Sequence, residues 1–324
     1  MKIKELHIEN FKSLENVTLK DPNPLTVFAG PNGSGKSNLF EALEFMVALE
    51  EAFDIKQFGS KDDFLNFKKR NANISFTLKS MKYKFESNFR FLMDSYHSPD
   101  PGAIGKYKDD KLSSKDYKLF FKNFSRIFLN NTNVERLRYK DDKKLNFYGS
   151  NLEKVLKRLL NNRDKKEEII DLLQMFIPEF EKVEIETSNL SGNENILIFE
   201  KGTKKPFPKH LISDGTFNII ALIVAVLQYD KPQFLCIEEP ENGLHPQVIK
   251  ELVNFFREQC ELKGHYIWLT THSEALVSEL IADEIVMVTK KNGATHLQQF
   301  KNRNFYSLTM DEAWKSNVLG GLPW

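Results

Sequence analysis

The chain has 324 residues, with 46 Lys and Arg against 45 Asp and Glu, 41% hydrophobic residues and 27 Phe; this is a folded composition of one large or two ordinary domains and excludes a disordered, tail-like chain. Two cysteines, Cys236 and Cys260, both in apolar or helical surroundings, exclude a disulfide framework and point to reduced thiols. The N-terminus lacks the apolar core of a signal peptide, and the longest apolar run, around Ile219–Leu227, falls short of the ~20 residues that span a bilayer, so a cytoplasmic location with no membrane partner is expected.

In chain order, Ile3–Ile8 alternates like a half-buried strand, and Leu25–Ala29 is a short, fully buried one. The glycine-rich stretch GPNGSGKS follows at 30–37, and the helix after it is apolar on most sides, with Leu39, Phe40, Leu43, Phe45, Met46, Val47 and Leu49, so it belongs in a core. Residues 73–91 resemble further strands. From 92 to 150 the pattern dissolves into Lys, Asp, Ser and Tyr, without a sustained heptad pattern. Helices are predicted over Leu152–Leu160 and Lys166–Phe176, then strands over Val183–Glu186 and Ile196–Phe199. The last third alternates helix Phe217–Leu227, strand Phe234–Ile237, helix Pro246–Cys260, strand Tyr266–Thr270, helix Ala275–Leu280 and strand Glu284–Val288. Such alternation predicts an α/β fold with a parallel or mixed sheet. The expected division is a core over 1–91 and 177–324, interrupted by an inserted lobe with helices over 92–176.

GPNGSGKS fits the G-x-x-x-x-G-K-[ST] pattern through Gly30, Gly35, Lys36 and Ser37. Glycines let backbone N–H groups close around phosphate oxygens, the helix N-terminus adds positive potential, the lysine reaches outer phosphates and the hydroxyl serves Mg²⁺. The pattern arises by chance in roughly one chain in a hundred of this size, and the strand before it and helix after it are the context it requires. The whole loop, Gly30, Pro31, Asn32, Gly33, Ser34, Gly35, Lys36, Ser37 and the following Asn38, is therefore expected to bind the nucleotide.

A second piece is FLCIEEPENGLHP, where an apolar strand delivers Glu238 and Glu239 at its C-terminal end, the side on which open α/β sheets bind ligands. One carboxylate can orient Mg²⁺ and the other can position or deprotonate the attacking water. A third piece, TTHS at 270–273, follows another apolar strand; His272 reads as a contact to the outermost phosphate beside the other motifs, and alone as a satisfied structural histidine.

Together with LISDGTFN at 211–218, these pieces resemble the ABC-type ATPase heads of the SMC, RecF and OLD-like class, and among them the stand-alone bacterial AAA-family ATPases of anti-phage defence type. The resemblance runs from IENFKSLENVTL to THSEALVSEL and is weak only across about 92–145. It implies an ABC-type head, with a mixed sheet around the helix that follows the glycine loop, using ATP and Mg²⁺ as cofactors. Ser213, Asp214 and Gly215 match the signature motif, which in this class caps the γ-phosphate held by another subunit. Glu238 stands where the Mg²⁺-orienting acid is usually aspartate, Glu239 matches the catalytic acid, and His272 the switch histidine. Asn242 and Gly243 match the loop that crosses the dimer interface; Lys12 and Ser13 lie near the nucleotide, and Gln57 is the candidate for the class's metal-binding glutamine.

The implied assembly is a head-to-tail homodimer, or a higher oligomer, that sandwiches two ATP molecules. The stretch after His272 is too short for the nuclease domain that OLD-like proteins append, so a separate effector in a defence or genome-maintenance system is the expected partner. The alternative is direct action on nucleic acid. Residues 61–150 hold 20 Lys and Arg against 11 Asp and Glu, which suits a phosphate backbone, an acidic partner or simply a solvated face. The aromatics Tyr107, Tyr117, Phe120, Phe121 and Phe124 serve either as stacking platforms for single strands or as the lobe's own core. The apolar tail NVLGGLPW reads either as packing onto its own domain or as a docking site.

Overall fold

The computed structural model describes residues 2–50, 58, 61–66, 74–80, 84–90, 102–108, 121–129, 142–187, 194–305 and 308–320. Three strands open the chain: β1 (Ile3–Phe11), β2 (Leu14–Lys20) and β3 (Leu25–Ala29). A tight reversal joins β1 to β2, pairing Phe11 with Leu14 and putting Lys12 at φ 47°. With β4 (Ile74–Ser80), β5 (Lys84–Arg90) and β6 (Gly102–Lys108), the first two strands form an antiparallel sheet in the order β2-β1-β4-β5-β6. Strand β2 is not among the predicted strands, although Leu14, Val17 and Leu19 are spaced as Ile3, Leu6 and Ile8 are; its antiparallel pairing with β1 makes it one.

The second sheet carries the site. It combines β3 with β7 (Phe124–Phe128), β11 (Phe234–Glu238), β12 (Tyr266–Thr271), β13 (Ile285–Lys291) and β14 (Ala294–Gln299) in the order β14-β13-β3-β12-β11-β7. All of its neighbouring strands are parallel except the β13–β14 hairpin. The strands around β3 read as unbroken apolar runs because both faces are buried. On one face Val27, Leu235, Ile237, Ile267 and Leu269 join one hydrophobic cluster. On the other, Phe28, Phe234, Cys236, Tyr266 and Trp268 join a second cluster with α1 (Lys36–Glu50) and the antiparallel sheet. Helix α1 is thus a buried element between sheets, as its all-round apolar surface predicts.

Apart from the short helix before β4, whose Phe64 joins the second cluster, the remaining elements close over the first face. A short α2 (Lys61–Phe64) precedes β4, and α3 (Leu152–Leu160) and α4 (Arg163–Phe176) follow β7. The strands β8 (Phe180–Thr187), β9 (Glu194–Glu200) and β10 (Phe207–Pro208) form a small antiparallel sheet. Helices α5 (Asp214–Leu227), α6 (Pro246–Lys263), α7 (Glu274–Val277) and α8 (Met310–Lys315) complete the order. The mixed α/β class and its parallel core agree with the sequence pattern. Part of the stretch expected as an inserted lobe nevertheless belongs to the core: β7 pairs in parallel with β11, and α3 and α4 bury Leu152, Val155, Leu156, Ile169 and Leu173 in the main cluster. Phe121 and Phe124 are 2% exposed and packed beneath the antiparallel sheet, which removes them as stacking platforms. Tyr117 and Phe120 lie outside the described residues, as does the side chain of Tyr107. In the tail, Leu319 is buried in the main cluster and Val318 is exposed, while 321–324 lie outside the described residues.

At the end of the second sheet remote from the glycine loop, His265 is 1% exposed and bonded through Nδ1 and Nε2 to Gln233, itself tied to Val226 and Gln228. Burial holds the His265 imidazole down at about 4, against an ordinary value of 6.5. The folded state therefore favours the neutral ring. Its contribution is fully present above pH 6.5 and is lost as the pH falls toward 4, amounting to up to about 3 kcal/mol. Denaturant melts at pH 7 and pH 4.5 should show this loss, and His265→Gln should flatten it.

Candidate functional site

Parallel pairing brings three strand ends to one edge of the sheet. Ala29 of β3 lies beside Thr271 of β12, and Thr270 lies beside Glu238 of β11. The glycine loop, the paired acids and the TTHS turn, which are up to 242 positions apart in sequence (272 − 30), emerge side by side. Between β3 and α1 the loop turns on Gly33 at φ 76° and Gly35 at φ 103°, conformations open to glycine but costly for other residues.

The loop is braced from outside its own sequence. Thr295 of β14 donates to the Ser34 carbonyl at 2.9 Å and shares a 2.7 Å hydrogen bond with Ser13, which accepts from Asn38 at 2.7 Å. Ser13 is thus buried beneath the loop, and Lys12 donates to Glu41 Oε2 on α1 at 2.6 Å. Nothing in the sequence singles out Thr295; only the β13–β14 hairpin brings it to Ser13, 282 positions away.

Lys36 Nζ curls back over the loop and donates to the carbonyls of Gly30 at 2.7 Å and Pro31 at 3.1 Å. Burial pushes its ammonium below the ordinary range, while Glu239, Glu241 and Glu238 pull it back up. Ser37 donates to Glu238 Oε2 at 2.6 Å, so the hydroxyl and carboxylate needed around a divalent cation already meet. Behind Glu238 stands Arg126 of β7, another residue that sequence reading missed: a lone arginine in FSRIF carries no motif. Its guanidinium reaches both Glu238 and Glu44. Burial opposes the Arg126 charge, but Glu238, Glu44 and Glu41 outweigh it and hold the group above its usual range.

Glu239 follows the strand at φ 48°, a left-handed conformation that costs a non-glycine residue about 1 kcal/mol. The bend is held by Glu239 N–H donating to Thr270 O at 2.9 Å and by Asn242 N–H donating to Glu239 O at 3.2 Å, with Pro240 between. The Glu239 carboxylate faces His272 Nδ1 at 3.4 Å through Oε1 and accepts from Asn242 Nδ2 at 3.1 Å through Oε2. Glu241, 7% exposed, accepts from the Thr271 hydroxyl, and burial raises its carboxyl. Both cysteine thiols are pushed up by burial, which leaves them inert.

Ser213 proves to be the N-cap of α5, accepting from Thr216 N–H at 3.1 Å. The helix therefore begins at Asp214, three residues before the predicted start at Phe217. Gly215 sits against the loop after Glu239: a Cβ there would lie 2.6 Å from the Gly243 carbonyl oxygen, and Asn218 donates to Asn242 O at 2.8 Å. Ser213 and Asp214 are exposed, next to Leu211 with 62% of its surface exposed. Gln57 lies outside the described residues.

The loop fits a polyphosphate on its own geometry. A Cβ at Gly30 would lie 2.2 Å from the Val288 carbonyl oxygen, and one at Gly35 would lie 2.1 Å from Thr295 Oγ1. Only glycine lets the backbone close into this cradle at the N-terminus of a 15-residue helix. Ser34 Oγ is buried there with no hydrogen-bond partner, and Ser37 is exposed at the mouth. Among the described residues no group of three or more His, Cys, Asp or Glu has the placement to hold a metal ion, so a cation at this site would rest on the Ser37 hydroxyl, the Glu238 carboxylate and the phosphates themselves, and no helix is long and apolar enough to cross a membrane.

Residues 25–278 match the family model described as "AAA domain, putative AbiEii toxin, Type IV TA system". Among curated proteins, an ATP/GTP phosphatase of Helicobacter pylori is 21% identical over 88% of both chains. The chromosome partition protein Smc of Methanococcus voltae is 43% identical over 17% of this chain and 4% of its own, and RecF of Leptospira interrogans, a DNA replication and repair protein, is 36% identical over 27% of each. The chain thus spans only a small part of those two relatives. Among solved structures, an Smc head bound to the C-terminal winged-helix domain of ScpA superposes with a TM-score of 0.60 at 14% identity, covering 97% of this chain and all of that one. The Smc head of Thermotoga maritima gives 0.51 at 16% identity over 92% and 99%. At such identities the likeness establishes the fold. With the family model spanning the glycine loop, the paired acids and the TTHS turn, the chain belongs to the AAA_21 family and is an SMC/RecF-like ATPase of the ABC type.

Proposed function

We propose that the protein is a Mg²⁺-dependent switch that binds ATP, dimerises around it and hydrolyses it. The observation that carries this reading is the meeting of Lys36, Ser37, Glu238, Glu239 and His272 at one sheet edge, with Ser37 2.6 Å from Glu238 and His272 3.4 Å from Glu239. In this reading the loop N–H groups of residues 32–37 bind the phosphates, and Lys36 turns from the Gly30 and Pro31 carbonyls to the outer ones. Ser37 and Glu238 would hold Mg²⁺, which when bound offsets the negative charge of those phosphates. Glu239 accepts the proton of the attacking water, giving ADP and phosphate, and His272 orients it.

The pairing of Glu239 with His272 and Asn242 is a resting arrangement, since both carboxylate oxygens already have partners. The exposed turn at Ser213–Gly215 is the surface a second molecule would meet, and it packs on the loop that carries Asn242 and Gly243. Nucleotide contact at either element is thereby coupled to the other. Release of this state is proposed to reach a separate effector in a bacterial defence or genome-maintenance system, in keeping with the toxin system in the family's description. Direct action on DNA, which the RecF relatives bring to mind, has less support because Phe121 and Phe124 are core residues.

Ser213→Arg tests the shared site. It should still bind one ATP per chain by equilibrium dialysis and lose at least about tenfold in turnover. Full turnover would contradict a site completed by this turn.

A further inference from the structure

Arg126 stands on the far side of Glu238 from Ser37. Its side chain is 3% exposed, with Nε 2.7 Å and Nη2 2.6 Å from Glu238 Oε1, and Nη1 2.9 Å from Glu44 Oε2 on α1. The Phe147 ring lies 4.8 Å from its Cζ. The other Glu238 oxygen, Oε2, accepts from Ser37. The carboxylate is therefore divided: one oxygen is committed to a planar, two-nitrogen fork, and one faces the mouth of the loop.

A glutamate has one more rotatable bond than the aspartate usual at this position in the resembled class, so its carboxylate has more orientations to lose on binding a cation. A guanidinium fork restricts them in a way a single ammonium cannot. Without it, Glu238 is drawn toward Lys36, which it already attracts electrostatically.

We propose that Arg126 is a positioning residue for the divalent cation: it fixes the Glu238 carboxylate so that Oε2 meets Ser37 and the metal, while Glu44 and Phe147 fix Arg126. The proposal rests on the reading of Ser37 and Glu238 as the metal side of the nucleotide site. Groups that orient a metal ligand from behind govern metal affinity by about 10- to 100-fold.

The test titrates Mn²⁺ into the full chain with a non-hydrolysable ATP analogue, reading free Mn²⁺ by electron paramagnetic resonance and metal-free analogue affinity separately. Arg126→Gln should weaken Mn²⁺ binding by about 10- to 100-fold and leave metal-free analogue affinity within a factor of about three. Arg126→Lys should recover only part of the loss, because it supplies charge without the fork. Unchanged or tighter Mn²⁺ binding in Arg126→Gln, with only a lower melting temperature, would reduce Arg126 to a structural ion pair and overturn the proposal. If Arg126→Gln does not fold, Arg126→Lys and Glu44→Gln decide: weaker Mn²⁺ binding in both supports positioning, and wild-type affinity in both overturns it. Should the wild-type chain itself take up no Mn²⁺ with the analogue, the reading of the metal site fails first and this proposal falls with it.

Discussion

Glu239→Gln is expected to bind ATP and Mg²⁺ as the wild type does, to lose turnover by about 10²- to 10⁴-fold, and to accumulate as a dimer under saturating nucleotide. The substitution keeps the length and shape of the side chain, so the bend after β11 and the bond from Asn242 to the Oε2 position survive. What disappears is the only feature that lets the group accept a proton. Loss of one negative charge from a site where Glu238, Glu239 and Glu241 all act on Lys36 also lowers repulsion of the terminal phosphate. Binding is therefore preserved while the step that would release the dimer is blocked. Size-exclusion chromatography with light scattering, run beside a phosphate-release assay, checks both parts.

Gly35→Ala is expected to destabilise the fold by about 2 to 4 kcal/mol and to lose nucleotide affinity with it. The new methyl would lie 2.1 Å from Thr295 Oγ1 and 2.8 Å from Ser13 Oγ, at a backbone φ of 103°. Neither hydroxyl can retreat without cost, since they are bonded to each other and Thr295 also supports the Ser34 carbonyl. Gly33→Ala is the internal control. Its φ of 76° carries strain, but nothing lies within 4 Å of the added methyl, so it should cost only about 1 kcal/mol. Thermal melts of the two variants separate collision from conformational strain.

The difference between those two glycines marks how far the site was legible in the sequence. Gly30, Gly35, Lys36 and Ser37 stand out in the sequence because the G-x-x-x-x-G-K-[ST] pattern sets them within eight residues of one another. Glu238, Glu239 and His272 are legible because they end apolar runs that are buried on both faces. Their convergence follows from parallel pairing of β3, β12 and β11. Arg126, Glu44 and Thr295 were not legible, since each acts through a contact between elements far apart in the chain: Arg126 lies 112 positions from Glu238, and Thr295 lies 261 from Ser34. The same holds for β7, whose FSRIF sits in a lysine-rich stretch and becomes a core strand only against β11. The signature turn was legible as a motif, whereas the earlier start of its helix depended on Ser213 using its hydroxyl as a cap.

The central claim is that each nucleotide site draws on two chains, and mixing two inactive variants tests it most directly. Lys36→Ala lacks the phosphate lysine, and Ser213→Arg lacks the turn offered to a partner. In a mixed dimer one site carries both defects and the other carries neither. An equal mixture is predicted to recover up to roughly a quarter of wild-type hydrolysis, from half of the dimers having one intact site of two. Continued inactivity of the mixture, with dimers forming normally, would contradict the account.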